Sequence, residues 1–237
     1  MSIAFVLGNG RGRLGFDLNE LHAIGHTFGC NALYRDFIPD YLCAVDYPMI
    51  DEIINAKAHL RTKLYIESKH KRYTQLPNVN AIDTQFPTGM DSGNLSVLLA
   101  CKLNFTKIYM LGYDYISHNG LNNNVYTGTR LYRQATDVHA GQPTIQSWYH
   151  RLMIVMARYP NTEFIRVNGN DFIIPVEADN YKQITKQEFL DEFPTFVLSY
   201  KEPVDEPVEE IKIEKGNPYA NNLSNPNRPG WYPLGND

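Results

Sequence analysis

Cysteine is scarce: Cys30, Cys43 and Cys101 are the three in 237 residues, widely spaced and without a C-x-x-C pair. That excludes a disulfide scaffold and fits buried thiols in a reducing compartment. No apolar run approaches the roughly 20 residues of a membrane helix, and the short run Ile3–Leu7 has no basic residue before it, unlike a signal peptide. The expected location is the cytoplasm, with no membrane span. Basic charge of one sign is missing too: net charge is −4 and no basic run exceeds Lys69-His70-Lys71-Arg72, so duplex nucleic acid is not an expected partner. The metal-binding D-x-D pattern is absent, and His22 and His26 straddle a glycine-containing turn, so no metal site is expected.

What is present is an ordinary globular composition, 43% hydrophobic and 20% charged, enough for one sizeable core. The chain is organised around Val6-Leu7-Gly8-Asn9-Gly10-Arg11-Gly12-Arg13, a glycine-rich turn straight after a short buried strand. Glycines there let backbone N–H groups approach a phosphate or sugar without a Cβ in the way, although a plain tight turn uses the same residues. Gly10, Gly12 and Gly15 also spell G-x-G-x-x-G, but no long helix opens at them. Gly29-Cys30-Asn31 stands where a dinucleotide fold needs an acidic residue, which argues against a nicotinamide dehydrogenase.

Strands are predicted at 3–7, 26–31, 41–45, 63–66, 107–111 and 163–167, with an edge strand near 172–176. Asp17 is expected to cap a short helix with Leu18 and Leu21 inward. Further helices are predicted over 49–58 behind Pro48, over 95–103 behind Asp91 or Ser92, from a cap at Thr144, and over 185–192. Residues 67–85 read as irregular. The pattern implies an α/β protein, a mostly parallel sheet with helices on both faces. Ligands bind beyond the carboxyl ends of such strands, and those ends carry Asn9, Asn31, Asp46 and Asp114. The small-residue start of the helix at Ser92-Gly93 is a second place for an anion.

Residues 115–143 show no periodicity and read as a lid or binding loop. From Lys201 the composition turns acidic and rich in Pro and Asn, with four Lys/Arg against seven Asp/Glu, which is −3 of the total −4. The expected organisation is a nucleotide-binding domain over 1–200 and a tail over 201–237 that is disordered or docks on a partner. A homo-oligomer is compatible with this reading.

With these motifs placed, the chain resembles the bacterial lipooligosaccharide sialyltransferases, which use CMP-sialic acid on one Rossmann-like domain, a GT-A-like variant, with a lid. The shared series is Gly8-Asn9-Gly10, Asp17 and Leu21, Cys30-Asn31, Pro48, Ser92-Gly93, Gly112-x-Asp114 and His139, covering roughly residues 3 to 167. The archaeal 6-hydroxymethylpterin pyrophosphokinases are similar in opening with a Gly-Asn-Gly turn. The first resemblance implies metal-independent transfer from a nucleotide-sugar, with no cofactor, to a glycan or other hydroxyl acceptor. Gly8, Asn9, Gly10, Arg11, Asn31, Asp46, Ser92, Gly93 and Asp114 would lie around the nucleotide, His139 would be the general base, and Tyr115, Tyr126 and Tyr132 of the lid would meet the leaving phosphate. The chain departs from the family at Arg11-Gly12, where Pro-Ser is usual. It departs again at Gly89, where an arginine is usual, at Tyr47 in place of asparagine, and at Tyr115 and Ile116, which straddle the first lid tyrosine. A Mg²⁺-dependent pyrophosphokinase using Asp46 and Asp114, and a non-catalytic nucleotide- or partner-binding protein, are the alternatives.

Overall fold

Ile3–Leu7 (β1) is buried from its second residue onward, as a strand covered on both sides must be, and everything else is arranged on either side of it. The computed structural model describes residues 2–86, 89–116, 123–132, 142–168, 173 and 178–194. The further strands are His26–Cys30 (β2), Tyr41–Ala44 (β3), Lys63–Glu67 (β4), Val79–Ile82 (β5), Lys107–Leu111 (β6), Glu163–Asn168 (β7) and Tyr181–Thr185 (β8). All pair in parallel, in the order β5-β4-β3-β2-β1-β6-β7-β8. The chain therefore steps outward from β1 to β5 and returns to the other side of β1 with β6. That reversal is the topological switch point of an open Rossmann-like α/β sheet, the place where such folds leave a crevice.

Helices cover both faces. On one, Ser92–Lys102 (α2) and Gln142–Arg158 (α3) pack Leu95, Leu98, Leu152 and Val155 over Ala4, Val6, Ile108 and Met110. On the other, Lys186–Glu192 (α4) sets Phe189 edge-on to Phe5 and Tyr109, whose rings stack at 5.5 Å. Each buried side chain of this size contributes about 1.5–3 kcal/mol. Tyr47–Asn55 (α1) starts with Pro48 in its first turn.

Several boundaries differ from expectation. The stretch 67–85 is not irregular: it holds a 3₁₀ turn at Ser68–Tyr73 and β5. An edge strand needs only one buried face, so Val-Asn-Ala-Ile carries no apolar run. Strand two stops at Cys30, because Asn31 turns into a left-handed conformation at φ 53°. The helix expected to be capped by Thr144 already begins at Gln142, and α1 begins two residues before Met49. The observed outer strand on the β7 side is Tyr181–Thr185; most of 172–176 lies outside the described residues, as does the expected tail over 201–237. Among the described residues, no helix is long and apolar enough to cross a membrane.

Candidate functional site

At the switch point the loops after β1 and β6 interlock. Gly8 N donates to Leu111 O at 2.8 Å, Gly10 N to Gly112 O at 3.0 Å and Gly12 N to Asp114 Oδ2 at 2.8 Å. A Cβ on Gly8 would lie 2.5 Å from Gly112 O, and one on Gly10 would lie 2.6 Å from both Gly112 O and Asp114 Oδ2. Gly112 itself has φ +73°. These glycines are thus required by the approach of two loops. Arg166 on β7, fully buried, holds the second loop by donating to Tyr113 O at 2.6 Å and Asp114 O at 3.0 Å.

Asn9, on this braced turn, points toward β2. Its Nδ2 donates to Cys30 O at 3.4 Å and to the Tyr132 hydroxyl at 3.2 Å. Asn31 follows β2, and the register Leu7↔Gly29 sets it beside Asn9. Asparagine is the non-glycine residue best suited to its left-handed backbone. The Oδ1 atoms of both Asn9 and Asn31 are buried without a hydrogen-bond donor among the described residues, a costly state away from water unless a donor is supplied. Asp114 Oδ1 is a third such acceptor, on the β6 side.

The described part of the expected lid, residues 123–132, lies over these turns. Val125 N donates to Asn9 O at 2.8 Å, and Asn123 Oδ1 accepts from Arg11 N at 3.0 Å. The Tyr132 hydroxyl accepts from Ala32 N as well as from Asn9, and no described residue accepts its own proton. Burial pushes the Tyr132 pKa up, so the hydroxyl stays a donor. Tyr126 is placed differently. It donates to Asp36 Oδ1 and accepts from Arg13 Nη2 at 2.8 Å, while Arg13 also bonds Asp36 at 3.2 Å. Its hydroxyl is therefore satisfied within the protein.

Arg13 and Arg35 are the functional candidates that the sequence reasoning missed. Arg11, the cation it favoured, is exposed, whereas Arg13 is buried beneath the lid segment. Arg35 donates through Nε to Glu52 Oε1 at 3.0 Å, through Nη1 to Thr129 Oγ1 at 2.7 Å and through Nη2 to Arg130 O at 3.0 Å. Its guanidinium also lies 5.8 Å from the ring centroids of both Tyr126 and Tyr132.

The remaining residues are spread along the same edge. Ser92 Oγ accepts from Val45 N at 3.1 Å, which ties α2 to the end of β3. Gly93 has no packing neighbour closer than 3.4 Å to a hypothetical Cβ, so nothing in the protein demands glycine there. Asp46, two residues beyond β3, is the N-cap of α1 without a side-chain capping bond. Desolvation pushes its pKa up, Lys69 opposes this and Glu67 adds to it. Lys69 also pairs with Glu67 beside Gly89. Tyr115 has φ 52°, and its buried hydroxyl has no partner among the described residues. His139 lies outside the described residues. Asp46 follows β3 and Asp114 follows β6, strands between which β2 and β1 lie in the sheet. Among the described residues, no group of three or more His, Cys, Asp or Glu is arranged to hold a metal ion.

No protein-family model matches the chain, and no curated protein matches it. Among solved structures it is similar to the Campylobacter jejuni sialyltransferase CstII in complex with the substrate analogue CMP-3FNeuAc, at 14% identity and a TM-score of 0.47 over 82% of this chain and 99% of that one. It is similar to CstII in complex with cytidine-5'-monophosphate, at 14% identity and 0.46 over 89% and 97%. The apo alpha-2,3-sialyltransferase of the same organism is similar at 15% identity and 0.47 over 77% and 82%.

Proposed function

We propose that the crevice between the ends of β2, β1 and β6 binds a nucleotide-sugar, and that the chain transfers the sugar to an acceptor hydroxyl without a metal. The observation that carries this reading is the pair of buried oxygens at the switch point, Asn9 Oδ1 and Asn31 Oδ1, that find no donor among the described residues. They call for hydroxyl or amino donors such as those of a nucleoside. The Tyr132 hydroxyl beside them, whose proton no described residue accepts, can donate to a phosphate oxygen, while Arg13 and Arg35 on that side are ion-paired with Asp36 and Glu52. A CMP-sugar is the donor to try first, because the motif series of the sequence resembles that of enzymes using one.

In the proposed reaction the acceptor oxygen attacks the anomeric carbon through an oxocarbenium-like state while the bond to the phosphate oxygen breaks. The acceptor proton passes to the imidazole of His139, whose ordinary pKa lies near neutrality. Charge that develops on the departing phosphate is met by the Tyr132 hydroxyl. The pyrophosphokinase alternative needs carboxylates that share an ion, for which Asp46 beyond β3 and Asp114 beyond β6 are the candidates. Release of CMP from a CMP-sugar in the presence of EDTA, lost in His139→Ala, is the expected result. Nucleotide binding with no turnover in either protein would make the chain a binding protein.

A further inference from the structure

Tyr126 and Tyr132 stand 5.6 Å apart, yet their hydroxyls differ in kind. Tyr126 donates its hydroxyl hydrogen to Asp36, whereas Tyr132 accepts two N–H bonds and its own proton has no acceptor among the described residues. Arg35 lies against both rings. Arg35 is gripped on one edge by Glu52 of α1, which is itself buried and also takes the Tyr34 hydroxyl at 2.6 Å. Its other edge holds Thr129 Oγ1 and Arg130 O, and its face lies over both aromatic rings. A planar fork of five N–H groups can span a helix and a loop in this way, and an ammonium cannot. The short chain from Thr129 to Tyr132 is thereby pinned to the scaffold, with Tyr132 N bonded to Thr129 O at 2.9 Å.

We infer that Arg35 is a positioning residue, which holds the Tyr132 hydroxyl at the end of β1 where an anionic group of the ligand meets it. This rests on the reading that the crevice takes a nucleotide. Arg35 acts through Tyr132, so its loss removes the contribution of the phosphate and spares that of the nucleoside.

The test is calorimetric titration of the full chain with CMP and with cytidine. Tyr132→Phe and Arg35→Ala are each expected to weaken CMP about tenfold, the usual size of one hydrogen bond to a charged group. Each should leave cytidine affinity unchanged, and the double variant should be no weaker for CMP than Tyr132→Phe alone. Thr129→Val, which cuts the link to the loop and leaves the Arg35–Glu52 pair intact, is expected to show the same pattern at smaller size, and it serves if Arg35→Ala does not fold. Equal losses for CMP and cytidine, or no loss of CMP in any variant, would overturn the positioning role and leave the nucleotide site standing. Binding of neither compound to the unmodified protein would overturn both.

Discussion

Gly12 N donates to Asp114 Oδ2 at 2.8 Å across 102 residues of sequence, joining the two loops that flank the switch point. The fit leaves no room for a methyl group. Gly8→Ala and Gly10→Ala each push a Cβ to within 2.6 Å of backbone oxygen, and each is expected to destabilise the fold by about 1–3 kcal/mol. Gly93→Ala, with no contact under 3.4 Å, is expected to leave the melting temperature unchanged. Thermal unfolding of the three variants separates glycines required by the packing from one that no described residue crowds.

Tyr126→Phe removes the hydroxyl that joins Arg13 to Asp36 beneath the lid segment. Buried Arg13 then loses a partner, at a cost of about 1–3 kcal/mol in stability. Nucleotide affinity is expected to hold, in contrast to Tyr132→Phe. Chemical denaturation and calorimetry on the two variants check the contrast.

The central strands were legible in the sequence because burial on both faces demands short apolar runs, and β1, β3 and β6 show them. The outer strands β5 and β8 were not, since Val-Asn-Ala-Ile and Tyr-Lys-Gln-Ile-Thr need only one covered face. Asn9, Asn31, Asp46 and Asp114 could be placed on one edge by counting residues past strand ends. The Arg35–Glu52–Thr129 and Arg13–Asp36–Tyr126 clusters could not. They join segments up to 113 residues apart, and such pairings leave no periodic trace. The glycine turn was read as an opening for phosphate; its first demand is the close passage of the loop after β6.

Acid is expected to weaken the protein through His70. The ring is 1% exposed, its Nε2 donates to Val45 O at 2.7 Å, and the edge-on Tyr47 ring lies 4.1 Å away. Burial lowers its pKa from the ordinary 6.5; Lys69 and Arg72 lower it further, against Val45 O and Glu67. The folded state then binds fewer protons than the unfolded chain, so stability is full above 6.5 and falls as pH drops toward the lower folded value. Asp46 and Asp91, raised from 3.8 chiefly by desolvation, act in the opposite direction. Melting curves from pH 7.5 to 5 should show the decline, and His70→Gln should flatten it.

The three thiols are expected to be inert in the folded protein. Cys30, Cys43 and Cys101 are buried, and desolvation pushes each thiol to about 12, far above its ordinary value. Thiolate is the reactive form. Iodoacetamide at pH 8 should leave all three unmodified in buffer and alkylate all three in denaturant, as read by intact mass. Rapid labelling of the native chain would contradict the packing of β2 and β3.

The most direct measurement of the proposed site is thermal shift with CMP, UDP, GDP, ADP and their sugars in EDTA, on the unmodified chain and on Asn31→Gly. That variant removes the carboxamide and keeps a residue at ease with φ 53°. A ligand at 100 times its dissociation constant adds about 2.7 kcal/mol, a shift of several degrees for a chain of this size. The account predicts such a shift with CMP or a CMP-sugar and its loss in Asn31→Gly. No shift with any nucleotide, or one of equal size in the variant, would contradict it.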